Sequence, residues 1–185
     1  MRAFTDMADE ELIELAKSDH DAFDVLYRRF VVPVYRYCYA RTGSIADAED
    51  LTAQTFLAAL EGVQRYQARR GFSPWLFGIA RHKCADFHRR QYADRSDTAG
   101  DKIETAPDLT EKADPDAQAD LRDVLDCVAR FITMLSLDRV EVLRLRYYGG
   151  LGLADIAGVM QRSTAAVKML ISRAISDLRE RCVIS

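Results

Sequence analysis

No run of apolar residues in the 185-residue chain approaches the roughly 20 needed to cross a bilayer, so membrane insertion is not expected. The opening "MRAFTDMADEELIELAKSDHD" is acidic and broken by charge, unlike a secretory signal, and a cytoplasmic protein is the expectation. Cysteine is scarce: Cys38, Cys84, Cys127 and Cys182 are widely spread, with no C-x-x-C pair. In a reducing compartment such residues are expected to be small buried hydrophobes. The only metal-like set is His82, Cys84 and His88. On a helix the last two share a face and His82 points elsewhere, so no metal site and no cofactor are expected. A thiol hydrolase built on Cys84 with His82 or His88 would need a glycine-rich oxyanion loop or a third partner. Neither accompanies them, so no catalytic residue and no small-molecule substrate are assigned. No stretch alternates with period two, which leaves an all-α fold.

What is present is charge arranged in blocks, hidden by a net charge of only −3. Residues 1–64 carry 6 basic and 12 acidic side chains, and residues 65–95 carry 8 and 2. Residues 96–120 carry 2 basic and 8 acidic, and residues 139–182 carry 8 and 4. Two basic blocks separated by an acidic one suggest two nucleic-acid contacts on one chain. Residues 93–118, "ADRSDTAGDKIETAPDLTEKADPDAQ", hold two of the four prolines and no aromatic residue. Such a segment cannot bury enough surface to offset its ordering entropy and reads as a flexible acidic linker. It separates two small helical domains, 1–92 and 119–185.

Helix signals punctuate both domains. Leu12, Ile13, Leu15 and Ala16 begin an amphipathic helix. A second carries Phe23, Leu26, Tyr27 and Phe30 and continues past Pro33, which is expected to bend or interrupt it. Ser44 is placed to cap a helix over 45–62, and Ser73-Pro74 to open one over 74–92. Further helices are expected near 117–135, 137–148, 153–160 and 164–182.

The faces of these helices carry the functional reading. Over 45–62, Ala53, Phe56, Leu57 and Leu60 form a core stripe. Asp47, Asp50, Gln54 and Glu61 form another face, either solvated or an acidic docking surface for a basic protein. Over 74–92 the buried stripe is Leu76, Ile79, Ala80, Cys84 and Phe87, with Arg81, Lys83, His88, Arg89 and Arg90 exposed. This basic face follows Arg65, Tyr66, Gln67, Arg69, Arg70, Phe72 and Trp75, a basic loop with aromatics interleaved. Cations attract phosphates and aromatics can hold unpaired bases, although Trp75 reads as core. In the second domain Val140, Leu143 and Tyr147 pack one helix, and Leu153, Ile156, Ala157 and Met160 the next. Ser163 or Thr164 caps the last helix, whose core side is Val167, Leu170, Ile171, Ala174, Ile175 and Leu178. Thr164, Ala165, Lys168, Met169 and Ser172 then face outwards where a recognition helix touches bases, with Arg173 further along.

Three stretches, "DAFDVLYRRFVVPVYRYCYARTGSIADAEDLTAQTFLAAL", "FSPWLFGIARHKCADFHRR" and "VLRLRYYGGLGLADIAGVMQRSTAAVKMLISRA", resemble successive signatures of bacterial extracytoplasmic-function (ECF) RNA polymerase sigma factors. The resemblance spans nearly the whole chain outside its first residues and the linker. It implies a non-enzymatic subunit that binds core RNA polymerase, reads two promoter DNA elements and promotes melting. It also implies an anti-sigma factor as a regulatory partner. By resemblance Asp47, Asp50, Leu51 and Gln54 bind the polymerase clamp. Arg65, Tyr66, Gln67, Arg69, Arg70, Arg81, His82, Lys83, Arg89 and Arg90 face the −10 element. Ser163, Thr164, Ala165, Lys168, Met169, Ser172 and Arg173 face the −35 element. Family members commonly have asparagine at position 82, and at 161 and 162 glycine and then an apolar residue. Here His82, Gln161 and Arg162 stand instead, and Met169-Leu170 replaces a common Ser-Arg. These positions are where stability and −35 preference are expected to be this chain's own. The alternative is a helix-turn-helix regulator acting without polymerase, which leaves the basic-aromatic block at 65–90 unexplained.

Overall fold

A computed structural model describes residues 4, 6–67, 71–94 and 125–182, and all regular structure among them is helical. The linker expected over 93–118 lies outside the described residues except for its first two. The first helix, α1 (Asp9–Leu15), begins with three acidic residues, whose charge favours a helix N-terminus. The Glu11 carboxylate accepts the Ala8 N–H at 3.2 Å. Asp19 caps α2 (His20–Thr42) by accepting the Asp21 N–H at 2.9 Å. This helix passes through Pro33 without the expected interruption. One lost backbone bond is outweighed by packing of Val34, Tyr37 and Cys38, all fully buried beyond the proline.

Ser44 caps α3 (Ile45–Gly62) as expected, accepting the Asp47 N–H at 3.3 Å. The buried face of α3 is rotated from the one the sequence suggests. Ala48, Leu51, Thr52, Thr55, Phe56 and Ala59 are buried, whereas Ala53, Leu57 and Leu60 are exposed. Two threonines reach the core because each hydroxyl donates back to the carbonyl four residues earlier, Thr52 to Ala48 and Thr55 to Leu51. Their polarity hid the stripe. After a short 3-10 turn (Val63–Arg65), α4 runs over Phe72–Asp94. It begins two residues before Pro74, where Phe72 is anchored edge-on against Phe30 and Tyr66.

The second domain contains a helical stretch at 125–132, labelled α5, then α6 (Leu137–Leu143), α7 (Leu153–Met160) and α8 (Thr164–Cys182). The expected helix over 137–148 changes pitch at Arg144–Tyr148, a π-turn in which the Gly149 N–H reaches the Arg144 carbonyl at 3.0 Å. The wider turn rotates the apolar face. Leu145 becomes fully buried, and Tyr147, expected inside, is 63% exposed. Leu153 is likewise more exposed than its stripe implied.

The two helical domains are present as expected, and one apolar core runs through both. Val142, Leu145, Leu151, Ile156, Val159, Met160 and Val167 join the cluster formed by α1–α4. The contact is close enough to require glycine at two places. A Cβ on Gly149 would meet Phe77 Cε1 at 2.8 Å, and one on Gly158 would meet Pro74 Cβ at 2.9 Å. Pro74, Phe77 and Ala80 therefore fill a side of α4 that faces the second domain. A smaller apolar cluster, Leu143, Ala174 and Leu178 with Phe131, Ile132, Leu135 and Ile175 around it, holds α5 to α8.

The cysteines form two spatial pairs. Cys38 and Cys84 are buried thiols with sulfurs 3.9 Å apart, in keeping with a core role. Cys127 and Cys182 form a disulfide, contrary to the expectation of isolated hydrophobes. Residues 55 positions apart meet because α8 folds back along α5, a proximity invisible to local spacing.

Candidate nucleic-acid and polymerase interfaces

The face of α3 away from the core presents Asp50 and Ala53, with Asp47 and Gln54 on the same side. The Gln54 amide donates to the Asp50 carboxylate at 2.7 Å, ordering the pair without neutralising its charge. Leu57, 58% exposed, adds an apolar element to this side of the helix. Leu51 does not belong to it. At 3% exposure it is a core residue, turned inwards beside Asp47 and Gln54, so a docking role for its side chain is withdrawn.

The basic block at 65–90 is divided by the fold. Arg65 and Gln67 are exposed, and Arg69 and Arg70 lie outside the described residues. Tyr66 is 4% exposed and packs edge-on against Trp75 with ring centroids 5.0 Å apart. It is a core aromatic, so its expected contact with DNA is withdrawn. Along α4, His82, Arg89 and Arg90 are exposed and Lys83 is half-buried. Asp86 draws on this charge: Arg89 pairs with it, and His82 Nε2 lies 3.4 Å from it. Arg81 turns instead towards the second domain, 3.5 Å from Glu141.

Glu141 is the centre of the interdomain contact. It accepts a hydrogen bond from the Tyr37 hydroxyl at 2.7 Å and one from Arg41 at 2.6 Å. Tyr37 is fully buried, and Glu141 is 5% exposed. Burial, with the Glu141 carboxylate beside it, pushes the Tyr37 phenol well above its ordinary value, so it remains a neutral donor. Arg144 completes the group. Burial first, and then the charge of Arg41, lowers its pKa. Three guanidinium groups thus surround one carboxylate, and the buried Arg41 Nε has no hydrogen-bond partner. These residues escaped sequence reasoning. One signal was available: "PWLFGIA" in α4 is apolar all round, the mark of a helix covered on two sides.

On α8 every residue singled out for a −35 contact is exposed: Ser163, Thr164, Ala165, Lys168, Met169, Ser172 and Arg173. Val167, on the opposite side, is fully buried. Ser163 caps the helix, its hydroxyl accepting the Ala166 N–H at 3.2 Å. The preceding turn accounts for the unusual residues. Gln161 adopts φ 54° and ψ 43°, and it is the only non-glycine with positive φ among the described residues. The Arg162 N–H returns to the Ala157 carbonyl at 3.0 Å and the Gln161 N–H to Gly158 at 3.4 Å, closing the α7 C-terminus in the Schellman pattern. The Arg162 side chain pairs with Asp138, tying the turn to α6. An arginine replaces the usual apolar residue because its anchor here is ionic.

This is two α-helices joined by a tight left-handed turn, the second outward-facing and the first rooted in the core, behind a separate helical unit with an acidic face. Comparisons with known proteins identify the two units. The Sigma-70 region 2 family model matches residues 26–93, and the Sigma-70, region 4 model matches residues 125–178. The chain is 30% identical over 181 residues to the ECF RNA polymerase sigma factor SigD of Mycobacterium tuberculosis, covering 95% of this chain and 84% of that protein. It belongs to the ECF sigma factors. The ECF RNA polymerase sigma factor BldN of Streptomyces coelicolor is 36% identical over 173 residues. That alignment covers 91% of this sigma factor and 63% of BldN, so the chain spans less than two thirds of that relative's length. Among solved structures, CnrH in complex with the cytosolic domain of CnrY superposes with a TM-score of 0.67 at 24% identity, covering 94% of this chain and 96% of that one. The sigma factor RpoE from Bartonella quintana, in complex with the anti-sigma factor NepR, gives 0.66 at 22%, covering 88% and 98%. Both agree with the all-helical fold. The family assignment makes the protein a transcription initiation factor, and no helix among the described residues is long and apolar enough to cross a membrane.

Proposed function

We propose that this sigma factor binds core RNA polymerase through Asp47, Asp50, Gln54 and Leu57 on α3, reads −10 DNA with the basic loop and exposed side of α4, and reads −35 DNA with the N-terminal half of α8. The division of labour follows domains 1–92 and 119–185 joined across residues 93–118, and the protein acts in the cytoplasm without catalytic residues of its own. The observation that carries the reading is the outer face of α8. All seven candidate −35 residues are exposed while Val167 behind them is buried, so the helix is held like a recognition helix with its reading side free.

The closed arrangement adds a step to this function. The element names imply a separation of about 25 base pairs, on the order of 80 Å at 3.4 Å per pair. A 23-residue helix such as α4 is only about 35 Å long, so two domains in contact cannot occupy both elements. Promoter engagement therefore requires the Glu141 contact to break. The roughly 30 residues between 94 and 125 have a contour of up to about 100 Å, enough to let the domains part while remaining tethered. An anti-sigma factor that favours the closed form would then inhibit by population shift. Anti-sigma control is supported by analogy with RpoE, seen with NepR.

The test is a pull-down of the full chain with core RNA polymerase followed by run-off transcription on a genomic promoter library. Polymerase binding and discrete start sites are expected. Promoter-fragment binding without polymerase binding would replace the reading with that of a helix-turn-helix regulator acting alone.

A further inference from the structure

The second cysteine pair has no place in promoter reading. Cys127 and Cys182 are bonded with Cα atoms 5.7 Å apart, within the ordinary span of a disulfide. Cys182 lies in the last turn of α8 and is 8% exposed, and Cys127 on α5 is partly exposed. Cys127 is therefore the more accessible end of the bond and Cys182 the end held in the fold. The Cys38–Cys84 pair is the opposite case, with both thiols fully buried. Disulfides in proteins that work inside the cell are usually transient rather than structural. This step rests on the intracellular role proposed above.

We propose that Cys127 and Cys182 form a reversible thiol–disulfide site that exchanges with low-molecular-weight thiols and sets how firmly α5 is held against the −35-reading helix. A thiolate RS⁻ attacks Sγ of Cys127, and the electron pair of the broken S–S bond passes to Sγ of Cys182, which takes up a proton. A second RS⁻ attacks the mixed disulfide, releasing RSSR and leaving Cys127 as the thiol. Two thiols are oxidised and one protein disulfide is reduced, and RSSR drives the reverse reaction.

The fold makes this bond consequential. Among the described residues, the cluster between α5 and α8 has three buried members, Leu143, Ala174 and Leu178. A core this small gains much of its stability from staples. Other ties to α8 among the described residues include Arg181 over the Phe131 ring at 5.3 Å and the partly exposed Arg139–Asp177 pair on α6 and α8. Reduction opens a loop whose ends are 55 residues apart, and loops of that size give the larger entropic effects. The reading face at the other end of α8 keeps its shape while its support loosens.

The full-length protein is equilibrated in mixtures of reduced and oxidised dithiothreitol, alkylated under denaturing conditions and analysed by peptide mass spectrometry. Cys127 and Cys182 are expected to exchange between linked and alkylated forms as the mixture changes. Cys38 and Cys84, alkylated throughout, serve as the internal control. The melting temperature should fall by about 10 °C on reduction, with faster amide exchange confined to 125–135 and 170–182. Cys127→Ser should melt like the reduced protein and lose its redox response. Should that variant not fold, the redox pair of wild-type samples decides alone. Four alkylated thiols in the most oxidising mixture, or equal melting of oxidised and reduced protein, would overturn the proposal. No arm uses polymerase or DNA, so its outcome is independent of the promoter-reading assignment.

Discussion

The two surfaces proposed to face DNA are held in opposite states within one closed molecule. The side of α8 proposed to read the −35 element lies in solvent, backed by Val167. The α4 side is partly spent within the protein: Phe77 and Pro74 are buried by the second domain, Arg81 turns to Glu141, and Asp86 takes Arg89. Both are basic helices in the sequence, so charge alone would rank them equal. The difference is that α4 is apolar on two sides and packs against both domains, whereas α8 is amphipathic and keeps one side free. On the proposed assignment, duplex contact would be available before melting contact, with packing setting the order.

The largest effect should come from the carboxylate that holds the α4 side closed. Glu141→Ala leaves Arg41 buried without its partner, and breaking such a pair costs about 3–5 kcal/mol. Small-angle scattering should record a larger radius of gyration. An unchanged radius would mean the apolar contact alone suffices. Next comes Gly158→Ala, whose new methyl meets only Pro74 across the interface. Overpacking of this kind typically costs about 1–3 kcal/mol. Because alanine also favours the α7 helix, the second domain should stay folded while the docking weakens. Faster amide exchange at Tyr37 and Phe77 without loss of helicity would be the signature, and unchanged exchange there would show that the interface yields.

Asp50→Lys should reduce polymerase affinity by about tenfold, roughly 1.4 kcal/mol, through charge reversal on α3. Because that face is already free, closure should not change, and equal titration curves would remove α3 from the docking surface. For the open side, Lys168→Ala should weaken duplex binding and lower the salt slope by about 0.9. A slope equal to that of the parent would exclude a phosphate contact. The smallest effect is expected at Gln161→Gly, which relieves a left-handed residue and should stabilise the second domain by about 1 kcal/mol, read as a rise in melting temperature.

How much was legible depended on whether the information was local. Ser44 as a cap, the bounds of α7 and α8 and the exposure of Lys168 and Met169 all follow from short-range pattern and appear as expected. Leu51 and Tyr66 were misplaced because a family role was carried onto side chains that the core had already claimed. The rotated face of α3 was hidden by Thr52 and Thr55, whose hydroxyls are satisfied by their own helix. Tyr147 went outwards because a π-turn breaks the 3.6-residue period on which the stripe was read. The contacts of Glu141 with Tyr37, Arg41 and Arg81, and the cysteine pairs, join residues from 46 to 104 positions apart, a range at which spacing carries no signal.

The core shared by the two domains also has a thermal meaning. Parting them would wet Phe77, Leu145 and Leu151, which are buried in the closed form. Exposure of apolar surface raises heat capacity, and the apolar share of the closing force fades on cooling. The Glu141 contact does not share that dependence. The balance between closed and open sigma factor should therefore curve with temperature, with the charged contact carrying a growing part of the closure in the cold.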